Sequence, residues 1–124
     1  MAIWFIRIAV VYLVIGVIGG QVMGITEKFA YADVHAHVNL LGWATLALSG
    51  VIYTIFPSAG NNRLAVVHFW LHNIGLPIFA IGLFLLSSNN QSGLPLAIVG
   101  SSLAILGLIV FATNVWLNVK PVYA

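Results

Sequence analysis

The run IWFIRIAVVYLVIGVIGGQVMG, residues 3–24, contains a single formal charge, Arg7. As a helix at ~1.5 Å per residue it is long enough to cross the ~30 Å hydrocarbon core of a bilayer. Three stretches of the same kind follow, at about 34–56, 64–86 and 94–116. A soluble domain of 124 residues needs a polar surface, and a chain that is 62% hydrophobic and 5% charged cannot build one. The mean hydropathy of +1.12 agrees. In lipid every backbone polar group must bond within the protein, which favours helices over strands. The expected fold class is all-α: one four-helix transmembrane bundle over residues 1–124, embedded in the lipid bilayer.

The breaks between the runs are clear. ITEKFAYAD (25–33) holds three of the six charges, PSAGNNR (57–63) is turn chemistry, and SSNNQSG (87–93) reads as a short polar hairpin. FAYAD offers small residues at the spacing of a signal-peptide cleavage site. The preceding apolar run is too long for a signal core, however, and more spans follow, so it is read as a true first helix. With no cysteine there is neither a disulfide framework nor a thiolate metal site. Four basic residues against two acidic ones are too sparse for a nucleic-acid surface. If the helices alternate, Arg7, Arg63 and Lys120 fall on one side and Lys28 alone on the other. The positive-inside rule then puts both termini in the cytoplasm, for a protein of a bacterial inner membrane. Trp4, Tyr31, Trp116 and Tyr123 are expected at the interfaces, whereas Trp43 and Trp70 lie deeper and should pack against neighbouring helices. Pro77 falls inside the third run and should kink it, freeing the carbonyl near Asn73.

The chemistry lies in four histidines. In DVHAHVNLLGW (33–43), His35 and His37 are two residues apart, about 200° on a regular helix, so they face nearly opposite ways. They cannot jointly hold one ion, and each must serve a different surface. His35, Asn39 and Gly42 share one face and His37, Leu41, Ala44 and Leu48 the other; Gly42 would let a flat, bulky group approach the backbone. In HFWLHNIG (68–75), His68 and His72 do share a face, at a spacing that can hold a metal given further ligands, with Gly75 continuing the stripe and leaving room beside the helix. One intramembrane histidine is as readily a hydrogen-bonding partner for a neighbouring helix as a ligand. Four of them, in a chain with few other ionisable groups, point to function. Neutral imidazole suits a metal where charge is not tolerated, and haem b is a large apolar group that two histidines can grip axially.

VHAHVNLLGW (34–43) and VHFWLHNIGLPIFAIG (67–82) together resemble two successive helices, the tenth and eleventh, of the catalytic subunit of haem-copper oxidases and nitric oxide reductases. By position the resemblance extends to all four runs, as helices nine to twelve. That subunit is a twelve-helix ring of approximate threefold symmetry, so the resemblance implies that this chain is one third of such a ring and that a homotrimer would rebuild it. It also implies that His35 and His37 are axial ligands of haem iron in neighbouring pores, with His37 of one chain and His35 of the next holding one haem at a subunit contact. Asn39 and Gly42 would line that site. The departures are specific. The adjacent His-His pair of the family's copper site is missing, SSNNQSG has no arginine for the haem propionates, His72 replaces an apolar residue, and no acid lines a proton path. A complete oxidase is therefore not expected.

The leading expectation is thus a haem b-binding membrane protein that transfers electrons or binds O2 or NO. The alternative is a non-catalytic assembly or accessory subunit with structural histidines, for which small-residue stripes such as Gly16, Gly19 and Gly20, or Gly100, Ala104 and Gly107, would serve helix packing. A third possibility is copper held by His68 and His72 with Asn73 nearby.

Overall fold

The computed structural model describes residues 1–121, so Tyr123 lies outside the described residues. The fold is all-α. Among the described residues four helices are long and apolar enough to cross a membrane: α1 (Ala2–Thr26), α2 (Phe29–Ile55), α3 (Arg63–Ser87) and α4 (Gly93–Asn118). α1, α3 and α4 each exceed the expected apolar run by one or two residues at either end, whereas α2 begins five residues earlier than expected and ends at Ile55.

The helices alternate in direction. At one end of the molecule the Phe5 ring meets Tyr53 at 5.1 Å, and Ser58 donates to the Asn118 carbonyl at 2.6 Å. At the other end Tyr31 bonds Ser88 at 2.8 Å and stacks on Phe84 at 5.0 Å. Arg7, Arg63 and Lys120 therefore share the first end, and Glu27, Lys28 and Asp33 the second. The turns follow local rules. Glu27 adopts a left-handed conformation (φ 55°) and ends α1, with the Lys28 amide reaching back to the Met23 carbonyl at 3.2 Å. Asn89 (φ 61°) closes α3: its amide bonds the Leu86 carbonyl at 3.0 Å and that of Asn90 bonds Leu85 at 2.8 Å, the paired bonds of a Schellman motif. Between α2 and α3, Pro57 starts a one-turn helix (Pro57–Gly60), and Asn62 caps α3 by accepting from the Ala65 amide at 3.1 Å.

α3 and α4 form the tightest pair. Gly75 and Gly82 on α3 face Gly93, Ala97, Gly100 and Ala104 on α4, backbone against backbone. In lipid there is no water-driven force between helices, and close van der Waals approach at small residues takes its place. Gly75 thus has α4 beside it and not the open space that the sequence suggests. α1 packs on α2 through Phe5, Ala9, Leu46 and Tyr53, a buried cluster that Phe69 of α3 completes.

Two features differ from expectation. α2 is not a regular helix: after Ala32–His37 it widens into a π-helix over Val38–Thr45 before resuming at Leu46. Trp70 does not pack inward; it is 55% exposed on the outer face, since the buried positions of its turn go to Phe69, His68 and His72. Trp43 is partly buried against the core, as expected. Trp4 and Trp116 are exposed, Trp4 beneath the Arg7 guanidinium at 5.3 Å. α3 runs without a break through Pro77.

Candidate functional site

His35 and His37 do face different neighbours. The His35 ring lies against α1, where a side chain at Gly20 would collide with it, and its Nδ1 is 2.9 Å from the Gly16 carbonyl. His37 turns toward α3, its ring edge-on to Phe79 at 5.0 Å, with Nδ1 2.7 Å from the Asp33 carbonyl one turn back. A carbonyl only accepts, so both Nδ1 atoms carry the hydrogen and both Nε2 atoms keep their lone pair, that of His35 lying 3.4 Å from the Asn39 amide nitrogen. That is how protein-bound histidine ligands are commonly oriented: one nitrogen is tied to the protein and the other is presented.

A cavity of about 460 Å³ opens beside His35. Its walls are mainly apolar, from Ile15, Val22, Met23, Val34, Val38 and Phe84, with Gly16 and Gly19 along α1 and Lys28 and Tyr31 at the end near the α1–α2 turn. A side chain at Gly19 would meet nothing within 4 Å, so the helix surface there is bare. Asn39 lies against the same ring, its Nδ2 3.1 Å from His35 Nδ1 and 3.4 Å from Nε2, while its Oδ1 is buried without a partner. Gly42, expected to admit a flat group, is instead covered by the Tyr12 ring of α1. The space next to that glycine is used for helix packing, and the open space lies one to two turns away at His35.

His68 and His72 share a face, as their spacing requires, and both are fully buried. Their rings lie 5.6 Å apart, His68 between Phe5 and Phe111 at 4.9 Å each. Tyr53 Oη sits 3.0 Å from His68 Nδ1, and His72 Nε2 is 2.8 Å from the carbonyl of Leu41, inside the π-helix of α2. The other two nitrogens, His68 Nε2 and His72 Nδ1, have no partner. Asn73 points its amide nitrogen at the Phe69 carbonyl, 2.9 Å away. Among the described residues no group of three or more His, Cys, Asp or Glu side chains converges. The copper reading of His68 and His72 therefore gains no third ligand, because Asn73 is turned to its own helix.

Sequence reasoning missed the polar cluster that joins this pair to the molecular surface. Asn114 of α4, fully buried, donates to the Ala59 carbonyl at 2.9 Å and faces Tyr53 Oη at 3.4 Å. Its Oδ1 accepts from Asn62 at 2.8 Å and from Asn118 at 2.9 Å. The available signal was Asn114 itself, an amide in an apolar span that must find partners.

No protein-family model matches the chain, and no solved structure matches it. Among curated proteins the chain is similar to ascorbate-specific transmembrane electron transporter 1 of Zea mays, at 27% identity over 78 residues. The match covers 61% of this chain and 33% of that protein, so the chain spans about a third of the relative's length. The resemblance to haem-copper oxidases rests on the two histidine motifs and receives no support from these comparisons.

Proposed function

We propose that this integral membrane protein transfers electrons through haem b bound by His35 and His37. The observation that carries the reading is the paired orientation of these two imidazoles. Each gives its Nδ1 hydrogen to a backbone carbonyl and keeps an unprotonated Nε2, the two rings facing different ways and only two residues, about 3 Å, apart along the helix axis. The similarity to a transmembrane electron transporter supports the electron-transfer part of the proposal. The residues present fit an iron porphyrin: an apolar cavity beside His35, a bare helix surface at Gly19, an unpartnered Asn39 Oδ1, and Lys28 as a cation for the propionates.

Because the two histidines face apart, one chain cannot close both sides of one iron. His37 of one copy and His35 of the next, at nearly the same depth, would supply the two ligands, and a homotrimer would close the set by rotation. Bound there, haem would supply a one-electron iron couple, and two histidine ligands would favour electron transfer over gas binding. The protein's part is to fix both rings through the Gly16 and Asp33 carbonyls, to keep water away with Val22, Val34 and Phe84, and to hold Lys28 at the rim. The basic residues at the Arg7, Arg63 and Lys120 end support the reading that this end lies in the cytoplasm, in a bacterial inner membrane.

The test is a visible spectrum and an iron count on protein made with ample haem supply. The expected result is a red protein with a low-spin b-type spectrum and about one iron per chain. His35→Ala and His37→Ala each abolish the spectrum, while His68→Ala retains it. A colourless wild-type preparation overturns the proposal, and unchanged spectra in both Ala variants would overturn the ligand assignment.

A further inference from the structure

A polar path enters the apolar interior from one end. It starts at a second cavity, about 490 Å³, between the beginning of α1 and the end of α2, whose wall includes Arg7, Tyr53, Thr54 and Asn61. From Tyr53 it leads inward to His68 and His72. Two carbonyls fix where the hydrogens lie. At the inner end, His72 Nε2 faces the Leu41 carbonyl and so carries a hydrogen, which leaves Nδ1 bare. At the outer end the Asn114 amide is oriented by the Ala59 carbonyl, so its Nδ2 is the atom facing Tyr53 Oη. The tyrosine oxygen is the acceptor there, and its own hydrogen is free for His68 Nδ1 at 3.0 Å. His68 then carries its hydrogen on Nε2. One donor, His68 Nε2–H, and one acceptor, His72 Nδ1, remain, and these are two of the buried atoms without a partner. They belong to rings 5.6 Å apart and are complementary.

We propose that Tyr53, His68 and His72 form a single-entry, reversible relay that loads a proton from the cavity beside Arg7 onto His72, the His68–His72 gap being closed by a small ring rotation or a single bridging water. The step balances. Water in the cavity gives a proton to Tyr53 Oη as Tyr53 gives its own to His68 Nδ1, and the His68 Nε2 proton passes to His72 Nδ1. The water loses one proton, Tyr53 is unchanged, His68 changes tautomer, and His72 becomes an imidazolium whose Nε2–H stays on the Leu41 carbonyl. Tyr53 is the titratable group facing the pair from α2; α1 and α4 present Phe5 and Phe111 to His68. A carbonyl cannot take the proton onward, so His72 is a loading site and the path is not a pore. The π-helix has a place in this scheme, since it sets the Leu41 carbonyl that fixes the His72 tautomer. The relay stands whether or not iron binds at His35. Its use to offset an added electron, from a site roughly 9 Å along α2 from His35, would rest on the haem proposal.

Imidazole nitrogen-15 NMR on the full chain in liposomes, kept reduced, tests the relay directly. The four histidines give a small set of ring nitrogens that His→Gln variants assign. The expected result is that His68 and His72 are both Nε2–H tautomers at neutral pH. Exchange of the His68 Nε2 hydrogen with water should slow at least tenfold in Tyr53→Phe, a near-isosteric change. An Nδ1–H tautomer at either histidine overturns the relay, as does wild-type exchange in Tyr53→Phe. If that variant does not fold, the wild-type tautomers alone decide. None of these readouts uses the haem spectrum, so failure here and failure of the ligand assignment are separable.

Discussion

At the scale of single residues, glycines decide where the candidate site can exist. Gly20 and Gly16 on α1 give His35 and Asn39 their room, and a methyl group at either would meet those side chains. Gly19, between them in sequence, points into open space. The pair makes a sharp comparison. Gly20→Ala pushes the His35 ring off α1 and away from the Gly16 carbonyl, and should cost about 1–3 kcal/mol. Gly19→Ala should be neutral or slightly stabilising, because alanine is the better helix former by up to ~1 kcal/mol. Unfolding titrations in detergent micelles read both values, and equal effects would mean that His35 is not held against α1 as described. The position of His35 beside an apolar cavity was legible in the sequence only as a facing direction. Its contact with Gly16 depends on how α1 lies on α2, and nothing local in either segment encodes that.

At the scale of elements, the four spans were legible because length and apolar composition suffice to specify a transmembrane helix. The π-helix in α2 was not. An i→i+5 turn leaves no composition signal, and LLGWAT reads as ordinary helix by pattern. It matters because the wider turn shifts the faces predicted for a regular helix, giving Gly42 to Tyr12 and presenting the Leu41 carbonyl to His72. The i, i+4 spacing of His68 and His72 was legible, but their partners Tyr53 and Asn114 come from other helices. The α3–α4 pair allows a prediction within one seam. At Gly100 an added methyl would strike the backbone of Phe79, which cannot yield, whereas at Gly107 it would approach the His72 amide nitrogen at 3.1 Å. Gly100→Ala is therefore expected to destabilise by about 1–3 kcal/mol and Gly107→Ala by clearly less. The measurement is again an unfolding midpoint, and the reverse order would place the closest helix approach at the other end of the seam.

At the scale of the whole molecule, the two ends differ in kind. One gathers Arg7, Arg63 and Lys120 around the Pro57–Gly60 turn, Asn62 and Asn118, and it holds the mouth of the cavity that reaches Tyr53. The other carries Glu27, Lys28 and Asp33, near His35 and the hairpin of Asn89 and Asn90. Which end meets the cytoplasm decides which compartment the relay draws from and on which side of the membrane the iron would lie. The sequence bears on this only through four basic residues, a weak signal for any positive-inside argument. The absence of cysteine makes the question simple to test, since any thiol introduced is the only one present. Asn61 and Asn90 are both exposed and lie at opposite ends. In intact cells treated with a membrane-impermeant thiol reagent, Asn90→Cys is expected to be labelled and Asn61→Cys to be protected until the membrane is opened. The opposite pattern would reverse the orientation, so that the relay would draw protons from outside the cell and His35 would face the cytoplasmic side.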